Sequence, residues 1–391
     1  MKGQSAEKYI LVTGGSFINK GAQAMTFITA DQMARRFPEC QMVLFSHYEA
    51  RLPESEKARY RIKFLRFPRK MQRLQLRLGI RNEYTDIFRN AAALLDISGY
   101  RLGSNWGVSS VKGYLNKLEL AMRFGIPVYL MPQSFGPFDF HGFNSWGLMG
   151  RIRRTLSRCS LVMAREKESH SLLVDGFRLG NALLAPDLVL QAGGIDEASI
   201  FAAPREPVRI QVDAGAVAVI PNSRNSEYGR REEIMDVYRV LLEKLRKCGR
   251  KVYVVAHSTE DSGLCHEIKD RFAAQDDGVA LVETELNCLD FCAFVAQFDF
   301  IVASRFHSIV HAYKEQVPAL ILGWADKYRE LADNMGQLRF FHDVRGHLDI
   351  DGISRDIDYL AEHHAGESEA IGKRLAGIQE NSVYGLIRTR Q

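Results

Sequence analysis

Short apolar runs recur along this chain with helix-like stretches between them, and that alternation constrains the fold more than any other feature. In the first half, strands are expected at 9–13, 41–46, 92–97, 127–131 and 160–164, with helices at 22–37, 109–124, 145–158 and 166–175. Such a βα rhythm argues for parallel sheets and against an all-α or all-β chain. It breaks between Gln191 and Arg209, where two Gly and two Pro interrupt the pattern, and this stretch is taken as a linker. The rhythm restarts at 216–220. A helix over about 228–248 keeps Ile234, Val237, Leu241, Leu242 and Leu245 on one face, and strands follow at 251–256, 279–282, 299–303 and 318–322. At 391 residues the chain exceeds one compact core. The expected class is α/β: two Rossmann-like domains, 1–195 and 205–391, facing a cleft that gathers loops from the strand carboxyl ends.

Composition excludes more than it assigns. With 52 basic and 47 acidic residues the net charge is +5, too weak to argue for nucleic acid but compatible with an acidic substrate or an anionic surface. The six cysteines are scattered without a CxxC pair, which favours a reducing compartment. The polar start, 1–8, runs directly into Tyr9-Ile10-Leu11-Val12, far short of a signal peptide or membrane span. A cytoplasmic protein is expected. One segment stands apart: in 66–81, basic residues alternate with apolar ones in a way that suits peripheral contact with an anionic membrane. The alternative is a solvated helix with one face on the core.

The densest chemistry lies at Ser304-Arg305-Phe306-His307-Ser308, between the apolar run 300–303 and the apparent helix 309–314. That places Arg305 and His307 at the carboxyl edge of a sheet, where open α/β sheets bind ligands. The helix amino terminus favours an anion, Arg supplies a planar fork for carboxylate or phosphate, and His carries a proton near neutral pH. Arg165 follows strand 161–164 in the same way. It points either at an anionic ligand or into a salt bridge with Glu166 or Glu168.

Other strand ends carry turn-forming loops. Thr13-Gly14-Gly15-Ser16-Phe17-Ile18-Asn19-Lys20-Gly21-Ala22 allows close backbone approach, but it is neither GxGxxG nor a P-loop. Ser98-Gly99-Tyr100-Arg101-Leu102-Gly103-Ser104 and Met131-Pro132-Gln133-Ser134-Phe135-Gly136-Pro137 place polar residues where sugar hydroxyls could be read, although turn chemistry alone selects Gly and Pro. His307 and His311 have the spacing of two zinc ligands, but the Glu of HExxH and a third ligand are missing, so no metal is expected.

In order, these landmarks resemble the polysaccharide pyruvyl transferase family over nearly the whole chain. They are Gly15 to Ala24, Ser98-Gly99, Gln133-Ser134-Phe135-Gly136-Pro137, Ala164-Arg165-Glu166 with Ser169, Pro186-Asp187, Ile220-Pro221-Asn222, Ser304-Arg305-Phe306-His307 and Lys327-Tyr328. The Ser-Arg-x-His element is the most specific. One departure lies in the first loop, where the family's Asn-x-Gly-Asp is replaced by Asn19-Lys20-Gly21-Ala22.

The resemblance implies a glycosyltransferase B-like fold. It implies transfer of pyruvate from phosphoenolpyruvate to a sugar of a polysaccharide or its precursor, giving a ketal and phosphate. It also implies donor contacts from Arg165, Arg305, Phe306 and His307 in the second domain's corner and its partner strand end, with His307 and Arg305 catalytic. Acceptor contacts are assigned on the first-domain side to Asn19, Gly99, Tyr100, Gln133 and Ser134. Phosphoenolpyruvate is then a co-substrate, with no cofactor, and the acceptor is a sugar or a lipid-linked oligosaccharide. Two alternatives stand beside this: a glycosyltransferase of the same architecture whose arginines hold a nucleotide-sugar diphosphate, and a non-catalytic carbohydrate-binding protein.

Overall fold

All the apolar runs named above become strands in the computed structural model, which describes residues 7–142, 145–273 and 278–390. The polar start of the chain, 1–6, lies outside the described residues. The first sheet contains β1 (Lys8–Thr13), β2 (Cys40–Phe45), β3 (Lys63–Leu65), β4 (Ala91–Asp96), β5 (Tyr100–Leu102), β6 (Val128–Phe135), β7 (Leu161–Ala164) and β8 (Ala182–Leu184). Its order is β3-β2-β1-β4-β6-β7-β8, with β5 pairing the far end of β6, and the recorded pairs are parallel. The second holds β9 (Val217–Ile220), β10 (Val252–Val255), β11 (Val279–Val282), β12 (Phe300–Ala303), β13 (Ala319–Gly323) and β14 (Phe341–Asp343) in the order β11-β10-β9-β12-β13-β14, also parallel.

Each strand order reverses once, between β1 and β4 in the first sheet and between β9 and β12 in the second. Adjacent strands there send their following loops to opposite sides and open a crevice at their carboxyl ends. Both sheets are buried on both faces by amphipathic helices. The helix Val108–Arg123 puts Val111, Leu115 and Leu118 into the first core, and the helix Arg231–Lys247 puts Ile234, Val237, Leu241 and Leu245 into the second. Double coverage explains why the strands read as unbroken apolar runs.

Two units divide the chain, Met1–Arg205 with Ser382–Gln391, and Glu206–Asn381. The expected linker begins too early. Residues 191–201 belong to the first unit because Ile200 and Phe201 are buried, Asp31 accepts from the Asp196 amide and the Ser199 hydroxyl at 3.1 Å each, and Tyr60 bridges Phe201. The last residues also return to the first unit instead of completing the second, as 205–391 would have it. A helix not anticipated from the sequence, Ile350–Glu380, carries the chain there. Among the described residues no helix is long and apolar enough to cross a membrane.

Candidate active site

In the second unit, the strand-to-helix junction after β12 lies at the reversal of strand order, beside the end of β9. The Ser304 amide donates to Ile220 O at 3.0 Å, which locks the two strand ends together. Asn222 then donates to Ser304 O (3.2 Å), Asn225 to Ser304 Oγ (3.1 Å) and Tyr328 OH to Ser304 O (3.1 Å). Ser304 is therefore the fixed point around which Ile220-Pro221-Asn222 and Lys327-Tyr328 assemble, bringing three landmarks of the sequence into one corner.

Arg305 caps the helix Phe306–Lys314 with extended backbone, so its side chain leaves the helix axis. Its Nε and Nη2 clasp Asp261 at 2.8 and 2.5 Å, and Nη2 also meets Glu260. Asp261 is fully buried and accepts from the Ser223 amide and hydroxyl as well (3.0 and 3.2 Å). Burial works against the guanidinium's charge, but Asp261 and then Glu260 outweigh it and hold the group above its ordinary value. Glu260 is in turn held below the ordinary carboxylate range by its hydrogen bond from Arg305. The clasp uses one edge of the fork. No hydrogen bond from Nη1 is recorded among the described residues.

His307 sits in the first helical turn, half-buried, its ring 5.4 Å from Phe306. Lys327 Nζ lies 5.2 Å from the Phe306 ring centre. His307 and Lys327 therefore both lie against Phe306, with Arg305 next to it in the chain, at a helix amino terminus. His311 faces elsewhere: it is fully buried, with Nδ1 3.1 Å from Cys292 Sγ and its ring 6.4 Å from that of His257. Burial pushes the Cys292 thiol far up, so it is no ready thiolate ligand. Among the described residues no group of three His, Cys, Asp or Glu could hold a metal ion.

In the first unit, a second polar network spans the strand reversal. Asp96, buried at the end of β4, accepts from Thr13 Oγ1 (2.7 Å), Ser98 Oγ (3.0 Å), Tyr114 OH (3.0 Å) and Gln133 Nε2 (3.3 Å). Gln133 is fully buried, and its carbonyl accepts from the Arg165 amide at 3.1 Å. Arg165 is buried too. Nε pairs with Glu166 (2.7 Å) and Ser134 (3.1 Å), and Nη1 with Asp187 (3.0 Å). Ser134 and Ser169 both donate to Glu166, at 2.7 and 3.1 Å. The Gln133-Ser134, Ala164-Arg165-Glu166, Ser169 and Asp187 landmarks are thus one internal network, and the salt-bridge alternative for Arg165 is realised with Glu166 and Asp187.

Asn19 caps the helix Lys20–Arg36, its side chain accepting from the Ala22 amide at 2.8 Å. Gly99 takes a left-handed φ of 67°, and Tyr100 packs 5.8 Å from Trp106. The loop before Asn19 is organised by Glu49, which is fully buried and accepts from Ser16 Oγ (3.0 Å), the Phe17 amide and Ser46 Oγ.

The family model for polysaccharide pyruvyl transferase matches residues 19–326, most of the chain. The chain belongs to the polysaccharide pyruvyl transferase family. The matched range includes Ser304, Arg305 and His307 of the one network and Asp96, Gln133 and Arg165 of the other. A comparison with curated proteins returned no match.

Solved structures resemble this pyruvyl transferase family member across both units. UDP-GlcNAc 2-epimerase from Neisseria meningitidis, bound to UDP-GlcNAc, is 12% identical with a TM-score of 0.58, covering 97% of this chain and 98% of its own. The Anabaena HepE protein in complex with UDP and glucose is 11% identical with a TM-score of 0.56, covering 97% and 96%. UDP-GlcNAc 2-epimerase from Methanocaldococcus jannaschii is 11% identical with a TM-score of 0.55, covering 91% and 93%. At such identity the likeness concerns the fold alone, the glycosyltransferase B-like class of parallel-sheet α/β domains.

Asp261, Glu260, Asp96 and Glu49 were not singled out in the sequence, yet they orient residues that were. Asp187 was visible only within Pro186-Asp187, with nothing local to show that it pairs with Arg165. Lys327 was visible only as a landmark, with nothing local to show that it reaches Phe306.

Proposed function

We propose that the protein transfers pyruvate from phosphoenolpyruvate to two hydroxyls of a sugar in a polysaccharide or its precursor, releasing phosphate. Family membership supports polysaccharide pyruvylation in general. The observation that carries the finer reading is the cluster at the β9–β12 reversal: the open Nη1 of Arg305, the Lys327 ammonium and His307 at a helix amino terminus suit a ligand with both a carboxylate and a phosphate.

In the reaction, C3 of the enol gains a proton and C2 becomes electrophilic. One sugar hydroxyl attacks C2, the C2–O bond to phosphate breaks, and a second hydroxyl closes the ketal as its proton leaves. His307 is the acid/base candidate, protonating the donor or assisting the phosphate. Arg305 and Lys327 stabilise charge on the departing phosphate. Asp261 and Glu260 fix the Arg305 fork, and in the first unit Arg165 orders the Ser134 and Ser169 loops. No metal is needed in this reading, so turnover should survive exhaustive chelation.

A second reading, a glycosyltransferase using a nucleotide sugar, draws on the UDP-bound fold relatives. Incubation with phosphoenolpyruvate and a panel of glycosides or lipid-linked sugars separates the two. The expected result is one phosphate released for each product that gains a pyruvate less a water. Stabilisation by UDP-sugars but not by phosphoenolpyruvate, with no phosphate release, would favour the second reading.

A further inference from the structure

Six basic residues and no acidic one lie in 66–81: Arg66, Arg69, Lys70, Arg73, Arg77 and Arg81. The whole chain carries +5, so this segment of +6 leaves −1 for all the rest. Positive charge is concentrated in one excursion between β3 and β4.

The structure shows which way that excursion faces. The helix Lys70–Arg77 buries Leu76, 6% exposed, against the first core. Met71, Leu74, Leu78 and Ile80 are 66%, 47%, 66% and 50% exposed. A surface helix of a globular domain ordinarily turns its apolar row inward. Here Met71, Leu74 and Leu78, spaced by three and four residues, share one outward face. The segment is held in place: the Arg69 amide donates to Gln72 Oε1 at 2.7 Å, and Asn82 Nδ2 donates to Gln72 O at 3.0 Å. Of the six cations, Arg81 alone has an ion pair among the described residues, with Asp86 at 3.0 Å.

We propose that this segment docks the protein on the surface of an anionic lipid bilayer, the four exposed aliphatic side chains entering the headgroup boundary and the cations meeting lipid phosphates. Charge complementarity selects the occupant together with the apolar row. A polyanion without an apolar phase, such as nucleic acid, would satisfy the arginines and leave Met71, Leu74, Leu78 and Ile80 in water. A bilayer interface accommodates both. The inference stands on this segment alone and is independent of the proposed reaction.

The test is co-sedimentation of the full chain with vesicles of phosphatidylcholine, with and without phosphatidylglycerol. The parent should bind the anionic vesicles and scarcely bind the neutral ones. Replacing Arg69, Lys70, Arg73 and Arg77 together by Gln should weaken binding by roughly 10²- to 10³-fold, as expected for four cations near an anionic surface. A second variant, Leu74→Ser with Leu78→Ser, keeps every charge and should also weaken binding several-fold, with binding by the parent retained in part at high salt. The substituted side chains are exposed or only partly covered, and thermal unfolding of both variants should match the parent, which separates docking from folding. Equal vesicle binding by the charge variant overturns the proposal. So does a Leu74, Leu78 variant that binds as the parent does while salt strips both completely, or a parent that binds DNA as tightly as anionic vesicles with no loss in that variant.

Discussion

Asp261 holds Arg305 by one edge, and the proposed reaction uses the other. Asp261→Asn keeps the shape but removes the charge that opposes the fork, leaving Arg305 with Glu260 alone. Loss of a charge-assisted hydrogen bond at a buried acceptor should lower stability by about 1.5–3 kcal/mol and broaden the orientations of Nη1. Thermal unfolding checks the first effect, and the shift of that transition on adding phosphoenolpyruvate checks the second. An unaltered shift in a destabilised variant would mean that Asp261 only supports the fold. His307→Gln asks a different question, because Gln can hydrogen-bond a phosphate but cannot donate a proton at neutral pH. Turnover should fall roughly 10²- to 10⁴-fold while the phosphoenolpyruvate-induced shift stays close to the parent's. Near-parental turnover would leave His307 a positioning role and move the acid elsewhere. The placement of Arg305 and His307 at a strand-to-helix junction was legible because it is a local pattern. Asp261 was not: it lies 44 residues from Arg305, and only the sheet order brings the ends of β9, β10 and β12 to one edge.

At the scale of elements, the strands that escaped the sequence are β3, β5, β8 and β14, each of three residues. A three-residue strand is too short for a periodic signal, and three of these four are edge strands. The central strands, buried on both faces, announced themselves. Loop geometry was half legible. The glycines after β1 pointed to a tight turn but not to what the turn approaches. Gly14 takes φ +84°, and a Cβ there would lie 2.5 Å from the Ser98 amide nitrogen and 2.6 Å from its Cα. The ends of β1 and β4 therefore touch backbone to side-chain space at the strand reversal, where Thr13 and Ser98 both donate to Asp96. Gly14→Ala should cost about 1–3 kcal/mol for overpacking and about 1 kcal/mol more for the left-handed φ, read as a lower urea midpoint. A midpoint equal to the parent's would show that the two loops stand further apart.

At the scale of the whole molecule, the return of the last residues to the first unit makes that unit depend on both ends of the sequence. No local pattern predicts this: 382–390 is short, and its partners are as far away as Thr29 and Ala92. Tyr384 is fully buried with its hydroxyl 2.9 Å from Thr29 Oγ1, the Val383 amide donates to Gln191 Oε1 at 3.1 Å, and the Arg390 amide donates to Ala92 O at 3.0 Å. Val383 and Ile387 are buried as well. Three buried side chains at about 1.5–3 kcal/mol each approach the total stability of an ordinary domain, about 5–15 kcal/mol. A chain ending at Asn381 should therefore lose most of the protection of the first sheet, because the segment's partners Thr29, Ala92, Tyr129 and Gln191 lie in the first unit. Amide hydrogen exchange distinguishes the two sheets: Ile10 to Val12 in β1 should exchange far faster in the shortened chain, with Val217–Ile220 as protected as before. Tyr384→Phe, which removes only the hydroxyl, should cost about 1 kcal/mol and leave both sheets protected. Unchanged exchange of Ile10 to Val12 after truncation would show that the returning segment packs on the first unit without stabilising it.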